Sequence, residues 1–269
     1  MAPKANSLSH ELVYSCATGH LAEVQRQLLY FDGSSVRARD ALTPALNVAT
    51  QNGHAEVVQF LLWKGATADR ETIRLAIVAA SSITILQLLL SAGALTVDMD
   101  LGLQGKPLLL AVESNRPEFV TFLLAQGADP NPFHIFRRYS ALSRATRLPS
   151  SQIAAMLIDH GTKIDDSGAL SCAAGEGNIE MVRFLIQRGA SVNANLNTQT
   201  SLHWCEQQME WLPLHKAVSG GHADIVRLLL YNGADPMLRE ISGKTPMMTA
   251  QELQNMEIVD ILHQYGATH

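Results

Sequence analysis

The chain has 269 residues, 47% of them hydrophobic and 17% charged, so it can bury a large core and is not disordered by composition. Its formal net charge of −5 gives no overall attraction to nucleic acids or anionic membranes. Cys16, Cys172 and Cys205 are odd in number, far apart and without CxxC spacing. They do not suggest a disulfide framework and are consistent with a reducing compartment, the cytoplasm or the nucleus.

The amino-terminal residues contain no apolar core of the kind that a secretory signal peptide needs. The most apolar stretch, from Ile83 to Leu95, is too short to span a membrane and is interrupted by polar residues. We therefore expect no membrane partner.

A glycine followed by Ala or Thr recurs after short leucine-rich segments. Successive intervals are 28, 34, 34, 28, 44 and 33 residues, with a mean near 33. Each segment carries apolar residues at i, i+3, i+4 and i+7, the spacing of one buried helix face. The glycine is expected to end that helix in a left-handed conformation. The recurring glycines are Gly65, Gly93, Gly127, Gly161, Gly189, Gly233 and Gly266.

A shorter helix that ends in small or polar residues is predicted before each leucine-rich helix. Alanines in these shorter helices set a register, because a turn residue follows each by five places and a small residue or valine follows by nine. The unit is therefore helix, turn, helix and stop. The register alanines are Ala111, Ala145, Ala173, Ala217 and Ala250.

The segment LPLHKAVSGGHADIVRLLLYNGADP, residues 212–236, resembles the ankyrin-repeat consensus most fully. TPALNVATQNGHAEVVQFLLWKGA and KPLLLAVESNRPEFVTFLLAQGADP keep parts of it, and the similarity covers nearly the whole chain. The resemblance implies an all-α ankyrin-repeat solenoid of about eight helix-turn-helix repeats with projecting β-turn fingers. It also implies a groove formed by the fingers and by the first, inner helix of each repeat.

We predict one domain over residues 1–269, because no linker or low-complexity run divides the chain. The repeats are expected at 7–39, 40–71, 72–103, 104–133, 134–166, 167–199, 212–242 and 243–269, with an insert at 197–211.

Departures from the repeat length fall in the finger regions. Two intervals are five residues short, so the fingers of repeats 3 and 6 are predicted to be truncated. One interval, of 44 residues, is eleven residues longer than the usual repeat because of the insert, which contains Trp204 and Trp211. These two side chains need burial, either against the protein as a short packed helix or against a ligand, and both alternatives stay open.

Repeat 5 carries a local excess of positive charge in an acidic chain. By registration with the consensus, Phe136, Arg137 and Tyr139 are expected on its finger. Arg144 and Arg147 are expected on the groove side of its inner helix. Arginines beside aromatic rings recognise carboxylate or phosphate groups, which makes this repeat a candidate binding site.

The alternative for these arginines is a solvated face on which they pair with acids of adjacent repeats, such as Glu113 and Glu176. Lys216, on the inner helix of repeat 7, completes the set of candidate binding residues.

Four histidines fit structural positions in the repeat. The consensus places His215 where its ring stabilises a finger through hydrogen bonds to the backbone. His20, His54 and His222 occupy the turn between the two helices. We interpret all four as structural residues rather than ligands of a metal.

The sequence contains none of the strong catalytic motifs for phosphate binding, nucleophilic catalysis or zinc hydrolysis. His203, Glu206 and Glu210 in the insert and His134 in the repeat-5 finger are the residues that could act as acids or bases. The spacing of histidine and cysteine in the insert matches no zinc finger, so neither a metal nor another cofactor is expected.

These features favour a binding protein that holds a partner protein in its groove at repeats 5–7. A small anionic or aromatic ligand is an alternative occupant. The alternative function is a small-molecule enzyme with its pocket between the repeat-5 finger and the insert. A nucleic-acid partner is not expected from the charge.

Overall fold

The computed structural model describes residues 10–31, 41–79, 82–134, 139–194 and 212–267, apart from the side chains of Phe133 and His134. These residues form pairs of short helices in two compact units, 1–129 and 130–269. Within the described ranges no helix is long and apolar enough to cross a membrane. The single domain over the whole chain stays a prediction.

The described residues of the first unit form four helix pairs. The helices are α1 His10–Thr18, α2 Leu21–Gln27, α3 Thr43–Gln51, α4 Ala55–Trp63, α5 Arg70–Val78, α6 Thr84–Ser91, α7 Pro107–Glu113 and α8 Pro117–Ala125. The first helices of successive pairs pack side by side, α1 on α3, α3 on α5 and α5 on α7. Stacking of this kind buries the flank of each pair against its neighbour.

The described residues of the second unit form a short pair of strands followed by four more helix pairs. Its elements are β1 Phe133–His134, β2 Tyr139–Ser140, α9 Ala141–Ala145, α10 Gln152–Asp159, α11 Ala169–Gly175, α12 Ile179–Gln187, α13 Pro213–Ser219, α14 Ala223–Tyr231, α15 Pro246–Glu252 and α16 Met256–Gln264. The strands are antiparallel, with Phe133 opposite Ser140. The first helices α9, α11, α13 and α15 again pack in sequence.

The register alanines are completely buried in the first helices. Each has 0% of its surface exposed, because a methyl group is small enough to lie where neighbouring helices approach closely. Their burial confirms the register that the sequence predicts, and the paired helices confirm the all-α repeat fold. These residues are Ala111, Ala145, Ala173, Ala217 and Ala250.

The predicted stop glycines end the second helices. At the end of α14, Gly233 has a φ of 87°, which a residue with a side chain adopts only under strain. Its N–H donates to the carbonyl of Leu230 at 3.0 Å, and the N–H of Ala234 donates to Leu229 at 3.0 Å. These bonds satisfy carbonyls that a helix end otherwise leaves unpaired.

The fingers of repeats 3 and 6 are short, as the intervals predict. Residues 66–69 alone separate the stop glycine Gly65 from α5, and residues 162–168 separate the stop glycine Gly161 from α11. The corresponding segments before α7 and α15 are residues 94–106 and 234–245. The missing residues therefore come from the fingers and leave the helix pairs intact.

The turn residue between two helices ties its repeat to the preceding one. Its side chain donates a hydrogen bond to a carbonyl at the end of the preceding first helix, where backbone acceptors have no partner within the helix. The bonds join His54 to Ala17 at 2.9 Å, Arg116 to Val78 at 3.2 Å, Asn178 to Thr146 at 3.2 Å and His222 to Gly175 at 3.1 Å.

The histidine rings confirm their predicted structural roles. His215 is 2% exposed, and its Nε2 lies 3.3 Å from the carbonyl of Lys244 in the next finger. The ring of His20 instead bonds locally, with Nδ1 at 2.9 Å from the hydroxyl of Thr18. A carbonyl only accepts hydrogen bonds, so the ring nitrogen of His215 carries the proton.

Candidate functional site

Within each unit, one position per repeat contributes to a row of side chains along the first helices. It is the residue immediately before the register position, and we call the set of these residues the inner row. In the second unit all its members are half-buried, and they are Arg144, Cys172, Lys216 and Thr249. In the first unit they are Tyr14, Val48, Ala76 and Leu110. The row is thus largely apolar in one unit and partly basic in the other.

Arg144 lies on α9, near the carboxyl end of the helix. The helix starts with a capping box, in which the hydroxyl of Ser140 accepts from the N–H of Ser143 at 3.0 Å. This cap fixes where α9 begins and therefore which face Arg144 occupies. Across the ranges that the structure describes, the guanidinium of Arg144 forms no ion pair or hydrogen bond.

Arg147 differs from Arg144, although both belong to the same repeat. Its Nη2 donates to Oε1 of Glu176 at 2.7 Å, and both side chains are 50% exposed. An exposed pair of this kind contributes at most about 1 kcal/mol. The alternative interpretation, a solvated arginine paired with an acid of the next repeat, is therefore confirmed for Arg147.

Lys216 lies on α13, opposite the carboxyl end of α11. A methyl group added at Gly175 would approach the Cβ of Lys216 to 3.5 Å, so the two helices are in close contact. The aliphatic stem of Lys216 is half-buried. The ammonium group has no acidic partner among the described residues.

Cys172 lies on α11, between the helices that carry Arg144 and Lys216. Burial raises the pKa of its thiol to about 11. The negative charge of Glu176 also raises this pKa, whereas the positive charges of Arg147 and Lys216 lower it. The thiol is therefore neutral at neutral pH. Sequence reasoning missed Cys172 as a row residue, although its position before Ala173 was a signal that could have found it.

Tyr139 lies on the repeat-5 finger, as predicted, in strand β2 opposite His134. Its side chain is half-buried. The backbone of His134 lies in β1, but its side chain is outside the described residues.

The remaining predicted site residues also lie outside the described ranges. They are Phe136, Arg137, His203, Trp204, Glu206, Glu210 and Trp211. The structure places Arg144 and Lys216 on the stacked first helices and Arg147 in the turn after α9, and the contribution of the insert and of the fingertip stays a prediction.

A shallow open depression is lined by Ala194 and Pro213 together with Asp165, Ser171 and Ser191. It encloses about 10 Å³, whereas pockets that enclose small ligands usually have volumes of about 300–1,000 Å³. Within the described ranges, no group of three or more His, Cys, Asp or Glu residues is placed to hold a metal.

A comparison with protein families assigns this architecture. A family model described as Ankyrin repeats (3 copies) matches residues 46–134, 142–239 and 201–269, which together exceed half of the chain. The chain belongs to the ankyrin-repeat family. The ankyrin repeats account for the stop glycines, the buried register alanines and the turn residues described above.

The names of the relatives of this ankyrin-repeat chain indicate functions that differ from one relative to the next. It is 39% identical over 89 residues to the 2-5A-dependent ribonuclease of Mus musculus, a match over 33% of the chain and 11% of the ribonuclease. It is 28% identical over 216 residues to the B-cell lymphoma 3 protein homolog of Mus musculus, with 65% of the chain and 45% of that protein covered.

A third relative is the serine/threonine-protein kinase 12 of Arabidopsis thaliana, 29% identical over 138 residues, or 51% of the chain and 28% of the kinase. The chain thus spans less than half the length of each of these three relatives. The shared part is the repeat array, so their whole activities do not carry over to this chain.

Proposed function

We propose that this ankyrin-repeat chain is a binding protein that holds a partner protein against the inner row of repeats 5–7. The observation that carries the proposal is the pair of half-buried cations, Arg144 and Lys216, that have no acidic partner in the described part of the chain. A cation removed from water without a counter-charge is unfavourable, and a ligand can supply the missing charge.

The repeat-5 finger and the insert complete the proposed site. In sequence the finger precedes Arg144 and the insert lies between Cys172 and Lys216, and they contribute Phe136, Arg137, Trp204 and Trp211 as candidate contacts. Aromatic and arginine side chains are the residues that most often dominate binding energy at protein interfaces. A rigid stack of helices suits this role because it presents the row with little conformational freedom to lose.

Quantitative affinity capture tests the proposal with matched variants. The chain with Arg144→Gln and Lys216→Gln is compared with the wild type and with a control carrying Arg183→Gln and Arg227→Gln. The control loses the same charge from exposed side chains on the second helices α12 and α14. Mass spectrometry then measures which proteins each variant retains from the same extract.

The wild type and the control should retain the same defined set of proteins. The amount of each of these proteins that the inner-row variant retains should be lower by about tenfold or more. Two lost ion pairs of up to about 1 kcal/mol each account for a change of that size. If the inner-row variant retains the same proteins in the same amounts, or the control loses them equally, the binding site is elsewhere.

A further inference from the structure

The spacing of charge along the inner row carries information about the partner. Arg144 and Lys216 lie on α9 and α13, and α11 packs between these two helices. Packed helices are about 8–10 Å apart, so the two cations are about 16–20 Å apart along the stack. Cys172 lies between them as a neutral side chain. The row is therefore positive, neutral and positive at a fixed interval.

We infer that the partner supplies an extended segment with two acidic side chains six residues apart and uncharged side chains at the positions between them that face the row. This inference rests on the proposed function and specifies its ligand. An extended chain advances about 3.3 Å per residue, so about 16–20 Å corresponds to five or six residues. Successive side chains of an extended segment point to opposite sides, and only the even spacing presents both acids to the same row.

Carboxylates fit the two cations better than a continuous polyanion does. A nucleic-acid strand carries one phosphate about every 3.4 Å, so it would bring about five phosphates past two unpaired cations. The same strand would be repelled by the carboxylate of Glu176, which is half exposed beside Arg147, and by the net charge of −5 on the chain. A carboxylate can instead accept two parallel hydrogen bonds from the arginine fork and needs no neighbouring charge.

The test uses synthetic fluorescent peptides and the full chain, with binding measured by fluorescence anisotropy. The spaced peptide carries two Glu residues six positions apart in a Gly/Ser background. A second peptide of the same composition has the two Glu residues adjacent, and a third has Gln at both positions. A single-stranded thymidine oligonucleotide serves as the polyanion. Circular dichroism and urea denaturation verify that each protein variant is folded.

The spaced peptide should bind at least about fivefold more tightly than either control peptide. Arg144→Gln and Lys216→Gln should each weaken it by about fivefold, the effect expected of one ion pair, while Arg183→Gln leaves it unchanged. Lys216→Glu should abolish the preference for the spaced peptide. A spaced peptide with one Glu replaced by Lys should restore tight binding to this variant. That charge exchange succeeds only when the two side chains meet.

Equal binding of the spaced and adjacent peptides, or no binding of either, would overturn the inference. Tighter binding of the oligonucleotide that depends on the same two residues would assign the row to nucleic acid instead. The affinity capture separates this failure from that of the proposed function. If captured proteins depend on Arg144 and Lys216 while the peptides do not, the partner is a protein recognised in another way.

Discussion

Leu229 offers the most direct test of how the repeats are held together. It lies in α14, is 0% exposed, and belongs to a helix that packs against α13 and α16. Leu229→Ala removes three carbon groups worth about 0.8 kcal/mol each, or about 2.4 kcal/mol in total. The cavity left between rigid helices adds up to about 2 kcal/mol, so we expect a loss of about 3–4 kcal/mol in the free energy of unfolding.

Urea denaturation followed by far-ultraviolet circular dichroism measures this loss, with two control substitutions in the same helix. Leu228 is half-buried and Tyr231 is 81% exposed. Leu228→Ala should cost less than Leu229→Ala, and Tyr231→Ala should change the free energy of unfolding by no more than about 0.5 kcal/mol. Equal midpoints for Leu229→Ala and Tyr231→Ala would refute the assigned register.

Three further predictions concern the turn, the insert and a buried thiol. His222→Leu removes the 3.1 Å hydrogen bond to the carbonyl of Gly175 and should lower stability by about 1–3 kcal/mol in urea denaturation; an unchanged midpoint would make that bond incidental. Excision of residues 198–208 should leave the helical circular dichroism intact, because Asn193 and the packed helices join repeats 6 and 7 directly, but should abolish partner capture. A shortened chain that fails to fold would assign the insert to the core. Burial raises the pKa of Cys16 from 9.0 to about 11, so the unfolded chain releases this proton first and stability should fall as pH rises from about 9 through 11. Cys16→Ala should show a smaller fall, and identical pH profiles for the two proteins would contradict the raised pKa.

The fold was predictable because its determinants repeat. A single alanine or glycine is weak information, but Ala173 and Ala217 stand at the same place relative to the stop glycines Gly189 and Gly233. Each then obeys a local physical requirement, close helix contact for the alanine and a positive φ for the glycine. The finger lengths followed by the same logic, since missing residues must leave the buried helices unchanged.

The candidate site was predictable only in part, because it depends on which charges meet. The sequence places Arg144 and Arg147 on the same face, yet Arg147 reaches Glu176 and Arg144 does not. Arg144 lies within α9, whereas Arg147 lies beyond its last residue, and a repeat consensus does not specify where this helix ends. Cys172 had no motif to mark it, although its position before Ala173 places it in the same register as Arg144 and Lys216.

The inner row suggests how one scaffold can change its ligand. The register alanine is constrained by contact with the neighbouring helix, whereas the residue before it ranges from buried to exposed and can differ between repeats. Tyr14 is 67% exposed at this position in repeat 1, and Arg144 and Lys216 occupy it in repeats 5 and 7. Since the backbone is the same in each case, the charge and size of one side chain per repeat decide what the row can hold.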